Sequence, residues 1–340
     1  LALQSVAEEK VWHDDGQLAS EQTHIDLARE NRVLVVAPAS ANVIAKFAHG
    51  IADDFLSTLF LAFTGPKLIV PAMHEGMWLN PATQRNIDTL KKDGVFVLGP
   101  VGGELLSGDS GWGGMVDIST VVAATQAMLE GPLDLRGKKI LISAGGTAES
   151  LDSVRVITNR STGKLGIALA EVATCFGAEV GVVSAVNVPE PTLFKDFVKV
   201  ESSDQMKSAL ERLFPSYSML FMAAAVSDFR SKSFGEKIKR TSKGLCLELK
   251  ATEDIVAGLA TQKKRGQLVV GFCLEDQNLE KVALEKLKKK NLDFVVANST
   301  VNIGNQERTL HVYSRKRGYS LIEKSPLISA VCSLLRIVTA

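Results

Sequence analysis

Short apolar runs alternate with segments of helical period along this chain, and the rhythm starts twice. In the first stretch Arg32–Pro38 is an apolar run that predicts a strand, followed by a turn of small residues (Ala39, Ser40, Ala41, Asn42) and a helical pattern through Phe47. Lys67–Pro71 and Gly94–Leu98 predict two more strands, with a helix over Thr83–Lys92 between them. Gly99–Gly114 is rich in glycine, which suits a mobile binding flap better than a packed element. A helix over Ser119–Leu129 follows, and Gly131–Gly137, with Pro132 inside it, reads as a domain boundary. The rhythm then restarts, with predicted strands at Lys139–Ser143, Glu179–Ser184, Met219–Val226, Leu268–Phe272 and Phe294–Ala297. Helices are predicted over Gly163–Phe176, Met206–Leu213 and the charged Glu280–Lys290. Strands alternating with helices imply an α/β fold with mostly parallel sheets.

Length and charge narrow the picture. At 340 residues the chain is long for one hydrophobic core, so two domains are expected. A net charge of +1 gives no bulk reason to expect nucleic acid or an anionic membrane as partner. No apolar run approaches the ~18 residues of a membrane span. Cys175, Cys246, Cys273 and Cys332 are scattered without CxxC spacing, which argues against a zinc site or a disulfide framework and fits a reducing cytoplasm. All four read as buried structural thiols. Leu1–Ser5 reads as the middle of a longer sequence, with an N-terminal part missing.

Three motifs in the second stretch carry chemistry. Ser143–Glu149 places Gly145, Gly146 and Thr147 directly after a strand. Paired glycines let backbone approach a phosphate and Thr147 adds a hydroxyl, although a tight strand-to-helix turn explains the glycines equally well. Asp152–Gly166 gathers Arg155, Asn159, Arg160, Ser161, Thr162 and Lys164 ahead of an apolar helix that Ser161 or Thr162 can cap. That density of donors suits a phosphorylated substrate. Ala223–Arg230 ends a buried strand with three alanines that leave room for a flat ligand; Asp228 can ligate Mg²⁺ or bond a base edge, and Lys237 can neutralise a phosphate.

In this order the motifs resemble CTP-dependent phosphopantothenate–cysteine ligases. Gly145–Gly166, Ala224–Asp228 and Lys237–Lys239 follow the family pattern, as do Phe272, the lysines Lys286 and Lys290 one helical turn apart, and Asn298. The resemblance implies that a substrate carboxylate attacks the α-phosphate of CTP to give an acyl-cytidylate, which cysteine then converts to an amide. It implies that Lys237 stabilises phosphoryl charge, that Asn159 holds the acyl-cytidylate with help from Arg155, and that Asp228 binds the metal or the base. Gly145, Gly146, Thr147, Ala224, Ala225, Phe272, Lys286 and Lys290 would contact the nucleotide. Where the family has Asn-Pro-Asp this chain has Thr252-Glu253-Asp254, and the charge of Glu253 puts nucleotide affinity in question.

The first stretch resembles FMN-dependent phosphopantothenoylcysteine decarboxylases. The resemblance implies a catalytic His24 with Arg29 beside it, FMN contacts from Ser40 and Asn42, a substrate clamp of His74, Met77 and Trp78, and a flap at Ser107, Gly108 and Asp109. His74 stands where the family has Asn, and Ser107 where it has a proton-donating Cys. A serine hydroxyl is a far weaker acid than a thiol, so reduction of the enethiol intermediate is the step at issue. Together the resemblances imply a bifunctional, cytoplasmic, homo-oligomeric enzyme of coenzyme A biosynthesis using FMN, Mg²⁺ and CTP on the small molecules 4′-phosphopantothenate and cysteine. They imply two Rossmann-like three-layer domains, residues 1–130 and 137–340. Two other readings stay open for the first stretch: oxidative cysteine decarboxylation that stops at an enethiol, and a non-catalytic scaffold.

Overall fold

The computed structural model describes residues 11–12, 23–104, 110–131, 133–185, 194–231, 234–239, 245–275, 277–299 and 307–340. The expectations at Leu1–Ser5, Pro132, Ser107, Gly108 and Asp109 lie outside them. The chain divides into two compact units, Leu1–Pro132 and Leu133–Ala340.

The first unit runs α1 (Thr23–Glu30), β1 (Leu34–Ala39), α2 (Ala41–His49), α3 (Phe55–Ala62), β2 (Lys67–Pro71), α4 (Glu75–Trp78), α5 (Pro81–Lys92), β3 (Phe96–Val97), β4 (Val101–Glu104), β5 (Ser110–Gly114) and α6 (Ile118–Glu130). Strands β1, β2 and β3 form a parallel sheet in that order. Its middle strand is buried from Leu68 to Val70, as its unbroken apolar run requires. Ser40 caps α2 through its hydroxyl, and Asp54 caps α3 in a reciprocal box with Ser57. Trp12 stacks on Phe55 at a centroid distance of 6.0 Å, a packing role. The glycine-rich flap departs from expectation, because its arms are the paired antiparallel strands β4 and β5.

The second unit comprises β6 (Lys139–Ala144), β7 (Ala148–Ser150), β8 (Val156–Thr158), α7 (Lys164–Cys175), β9 (Glu179–Ser184), β10 (Asp196–Lys199), α8 (Ser203–Leu213) and β11 (Met219–Met222). It continues with β12 (Phe229–Ser231), β13 (Leu249–Ala251), α9 (Ile255–Gln262), β14 (Leu268–Leu274), α10 (Leu279–Lys289), β15 (Phe294–Asn298), β16 (Glu307–Ser314), β17 (Gly318–Pro326) and α11 (Leu327–Thr339). Among the described residues the main sheet has the order β10-β9-β6-β11-β14-β15-β16-β17. It is parallel from β10 to β15, and β16 and β17 add an antiparallel edge. Leu141, Leu220, Val269 and Val295 pack on Met206 and Leu210 of α8, Ile255 and Leu259 of α9, and Leu287 of α10. Alternation sends Ile140, Ile142, Phe221 and Val270 to the opposite face, where α7 and α11 lie against each other. The result is a three-layer sandwich.

That strand order creates a switch point, the place where open α/β sheets bind ligands. Counting only the parallel strands, the chain builds outward from β6 through β9 to β10, then returns to the other side of β6 with β11. At such a reversal the connections leave in opposite directions and open a crevice beyond the carboxyl ends of the two strands. Gly145-Gly146 follows β6 and Ala223–Ala225 follows β11, so both motifs lie at the crevice.

Candidate active site

Backbone bonds join the two strand ends. Ala225 N–H donates to the Gly145 carbonyl at 2.8 Å and Thr147 N–H to the Ala225 carbonyl at 3.3 Å. The Asp152–Gly166 motif is sewn to them by Asn159, whose Nδ2 donates to the carbonyls of Ala225 at 3.3 Å and Val226 at 3.1 Å. Helix α7 then runs back tightly under the crevice. A Cβ on Gly166 would lie 2.7 Å from Ala144 Cβ, so only glycine allows this approach. The cap of α7 corrects the sequence reading: Gly163, at φ 70°, occupies the N-cap position, and no side chain caps the helix.

Thr147 also differs from expectation. It is fully buried, its Oγ1 accepts from Ser227 N–H at 2.9 Å, and the hydroxyl braces two loops instead of pointing toward a ligand. Arg155 is tied down as well, its Nη1 donating to Asp152 Oδ2 at 2.6 Å and to the Ile238 carbonyl at 3.2 Å. Lys237, next to that carbonyl, is exposed, as is Asp228.

A second set of cations stands at the end of β14. Lys286 Nζ donates to the Phe272 carbonyl at 2.6 Å. Burial, and after it the nearby Lys290, lowers the Lys286 pKa below the ordinary lysine value. Lys290 pairs at 2.8 Å with Asp254, whose other oxygen caps α9 at Ala257. Phe272 is half-buried beside them, and burial pushes the Cys273 thiol up, out of the reactive range. Cys246 is exposed, unlike the other three cysteines, which corrects the expectation that all four are buried. The Thr252-Glu253 departure is absorbed locally. Thr252 Oγ1 donates to the Ser227 carbonyl at 2.6 Å, and Glu253 pairs with Lys207 at 2.6 Å.

In the first unit His24 is half-buried and Arg29 exposed, both on α1. Ser40 and Asn42 are exposed at the start of α2, where Ser40 Oγ accepts from Val43 N–H at 3.3 Å. His74 caps α4, with Nδ1 accepting from Gly76 N–H at 3.1 Å, which leaves Nε2 for other partners. Met77 is exposed, whereas Trp78 is only 3% exposed, which makes it a packing residue under the clamp and not part of its surface.

The β4–β5 hairpin is fastened to this clamp by residues that the sequence did not single out. Glu75 Oε1 accepts from Trp112 N–H at 2.9 Å, and Met73 N–H donates to the Gly113 carbonyl at 3.0 Å. At Gly113, φ is 148° and a Cβ would fall 1.9 Å from the Met73 carbonyl oxygen, so the approach is again one only glycine permits. Among the described residues no group of three or more His, Cys, Asp or Glu is placed to hold a metal ion, and no helix is long and apolar enough to cross a membrane.

A family model described as the DNA/pantothenate metabolism flavoprotein C-terminal domain matches residues 135–334, and one described as flavoprotein matches residues 1–130. The coenzyme A biosynthesis bifunctional protein CoaBC of Bacillus subtilis (strain 168) is 40% identical over 304 residues, covering 88% of this chain and 75% of its own length. A cysteine/cysteine sulfinic acid decarboxylase of an unknown prokaryotic organism is also 40% identical, over 299 residues, covering 86% of this chain and 82% of its own. The DNA/pantothenate metabolism flavoprotein of Streptococcus pneumoniae shares the fold, with a TM-score of 0.54 over 60% of this chain and 99% of its own at 23% identity. The switch-point motifs, the two matched family models and the bifunctional relative together assign the chain to the family of bifunctional coenzyme A biosynthesis flavoproteins.

Proposed function

We propose that residues 137–340 form a ligase domain that joins cysteine to 4′-phosphopantothenate using CTP. Residues 1–130 form an FMN-dependent domain that decarboxylates the product. The observation that carries the ligase reading is the convergence of Gly145-Gly146, Asn159 and Ala224-Ala225 at the sheet's switch point. In the first step a carboxylate oxygen of 4′-phosphopantothenate attacks the α-phosphorus of CTP and pyrophosphate leaves. In the second the cysteine amine attacks the acyl carbon, CMP leaves and an amide forms. Charge grows first on the α-phosphoryl oxygens, where a fixed cation has most effect, and Lys237 takes that role. Asn159 holds the acyl-cytidylate, Phe272 stacks on the base, and Lys286 and Lys290 neutralise the triphosphate. Desolvation of Lys286 strengthens its pull on an anion.

Asp228 alone suits a Mg²⁺ that arrives on the nucleotide, since Mg²⁺ keeps most of its waters and takes one or two carboxylates beside substrate phosphates. In the first unit the N-terminus of α2, with exposed Ser40 and Asn42, suits a flavin, and these residues would hold FMN. When bound, FMN supplies the two-electron step that accompanies decarboxylation. His24 moves the proton, and His74 and Met77 orient the substrate. Exposed Val156, Phe229 and Leu249 on the small hairpins support a homo-oligomer, and the charge and cysteine pattern support a cytoplasmic location.

The test follows pyrophosphate release from 4′-phosphopantothenate, cysteine and CTP. Lys237→Gln is expected to lower turnover on the order of 100- to 1,000-fold. Wild-type turnover in that variant would remove Lys237 from the mechanism. Mass spectrometry of the same mixture with FMN reads the other domain. Accumulation of a product two hydrogens lighter than 4′-phosphopantetheine would favour the oxidative reading, which the cysteine decarboxylase relative and Ser107 support.

A further inference from the structure

The buried carboxylate of Asp152 has no part in the two steps above, yet more of the crevice's edge is hung from it than from any side chain assigned there. Its Oδ1 accepts from Val154 N–H and Arg155 N–H, both at 2.8 Å. Its Oδ2 accepts from Arg155 Nη1 at 2.6 Å and, across the chain, from Ile238 N–H at 3.1 Å. Arg155 completes the clasp by donating to the Ile238 carbonyl at 3.2 Å. A further backbone bond, Phe234 N–H to the Leu151 carbonyl at 3.0 Å, fastens the same strap four residues earlier. The peptide groups on either side of Ile238 are thus both held by one ion pair, and Lys237 is the residue immediately before it. The turn that provides the clasp runs directly into β8 and Asn159.

A carboxylate kept wholly from water is costly unless it is paired and its lone pairs are filled, and here they are filled by four N–H groups. Such a group fixes geometry more than it adds net stability. A flexible lysine on an exposed strap would otherwise lose most of its effect, because a fixed cation acts on a transition state only if it is held in place beforehand.

We infer that Asp152, with Arg155 as its partner, is a positioning residue that sets the register of the Phe234–Lys239 strap and so delivers Lys237 to the phosphoryl group. Arg155 then acts through Lys237. The inference rests on the ligase reading and on the role of Lys237 in it.

The experiment is a double-mutant cycle on the full chain, following pyrophosphate release from CTP, 4′-phosphopantothenate and cysteine. Asp152→Asn is expected to lower kcat on the order of 100-fold while leaving KM for CTP nearly unchanged. Lys237→Gln added to Asp152→Asn is expected to cost little more, since the lysine is already out of place. A loss of folding alone would not produce that non-additivity. Arg155→Met, which keeps the carboxylate and its three amide partners, serves if Asp152→Asn does not fold, and it should show the same coupling to Lys237. Losses that multiply through the cycle, or full turnover in both Asp152→Asn and Arg155→Met beside a crippled Lys237→Gln, would overturn the positioning role alone. Full turnover in Lys237→Gln would overturn the ligase assignment of that lysine, and the inference with it.

Discussion

Asn159 finds its two carbonyl partners 66 and 67 residues along the chain, and Asp152 finds Ile238 across 86. In the flavoprotein unit Ser40 and His74 find theirs within three residues, as caps of the helices they begin. Longer ties exist on that side, the Glu75–Trp112 bond across 37 residues and the Arg32–Leu129 bond across 97. The ligase side chains are therefore placed by the completed sheet, and the flavoprotein side chains mostly by their own helix ends. Residues placed by the sheet lose their geometry together when any strand end shifts. Residues placed by caps keep theirs as long as one helix survives, and stay open to replacement one at a time.

The largest effect that would sharpen this contrast is at Asn159. Asn159→Ala is expected to slow amide formation on the order of 100-fold, with decarboxylation of added 4′-phosphopantothenoylcysteine unchanged. A loss of both activities would break the separation. A smaller effect is expected at Gly166, where a methyl group would press on Ala144 beneath the crevice. Gly166→Ala should cost about 1–3 kcal/mol of ligase-unit stability, read as a lower denaturant midpoint with the flavoprotein transition in place.

The smallest effect is at Asp54, the cap of α3. Burial works against its charge, but Lys46 and the Ser57 amide outweigh it and hold the pKa at about 2, against an ordinary 3.8. The folded pKa is depressed, so the stabilisation is complete above the ordinary value and is lost as pH falls through about 2. Asp54→Ala should cost roughly 1 kcal/mol at neutral pH. The gap to wild type, followed by thermal melting, should narrow on acidification below that ordinary value. A gap that stays constant would mean the carboxylate charge plays no part in the cap.

Much of the fold could be read from apolar runs, because strands buried on both faces are written as continuous Val, Ile and Leu. Lys67–Pro71 and Glu179–Ser184 came out to the residue. Met219–Val226 was read too long, since the alanines after Met222 leave the sheet to line the crevice. The β16–β17 pair and α11 lie outside the sequence reading, although Ser314 and Gly318, the latter at φ 76°, mark the turn between the two strands. Strand order was illegible as well, and with it the reason why motifs about 80 residues apart share a site. The motifs named the site's residues but not the direction each one faces. Thr147, Arg155 and Trp78 resemble ligand contacts in sequence, yet the hydroxyl and the indole are buried and the exposed guanidinium is tied to Asp152. Asp152 and Glu75 escaped notice because a carboxylate that receives backbone amides leaves no periodic trace.

The Lys207–Glu253 pair has a consequence for how such a protein can change over generations. Glu253 is an acidic residue in the segment ahead of α9, and its charge is paired by a lysine on α8. Exchange of Lys207 alone would leave Glu253 unpaired, whereas exchange of Glu253 alone leaves Lys207 beside Glu211, so the constraint runs in one direction. A lineage that returned Glu253 to a neutral residue would free Lys207 to drift. One that lost Lys207 first would pass through a form with an unpaired carboxylate ahead of α9.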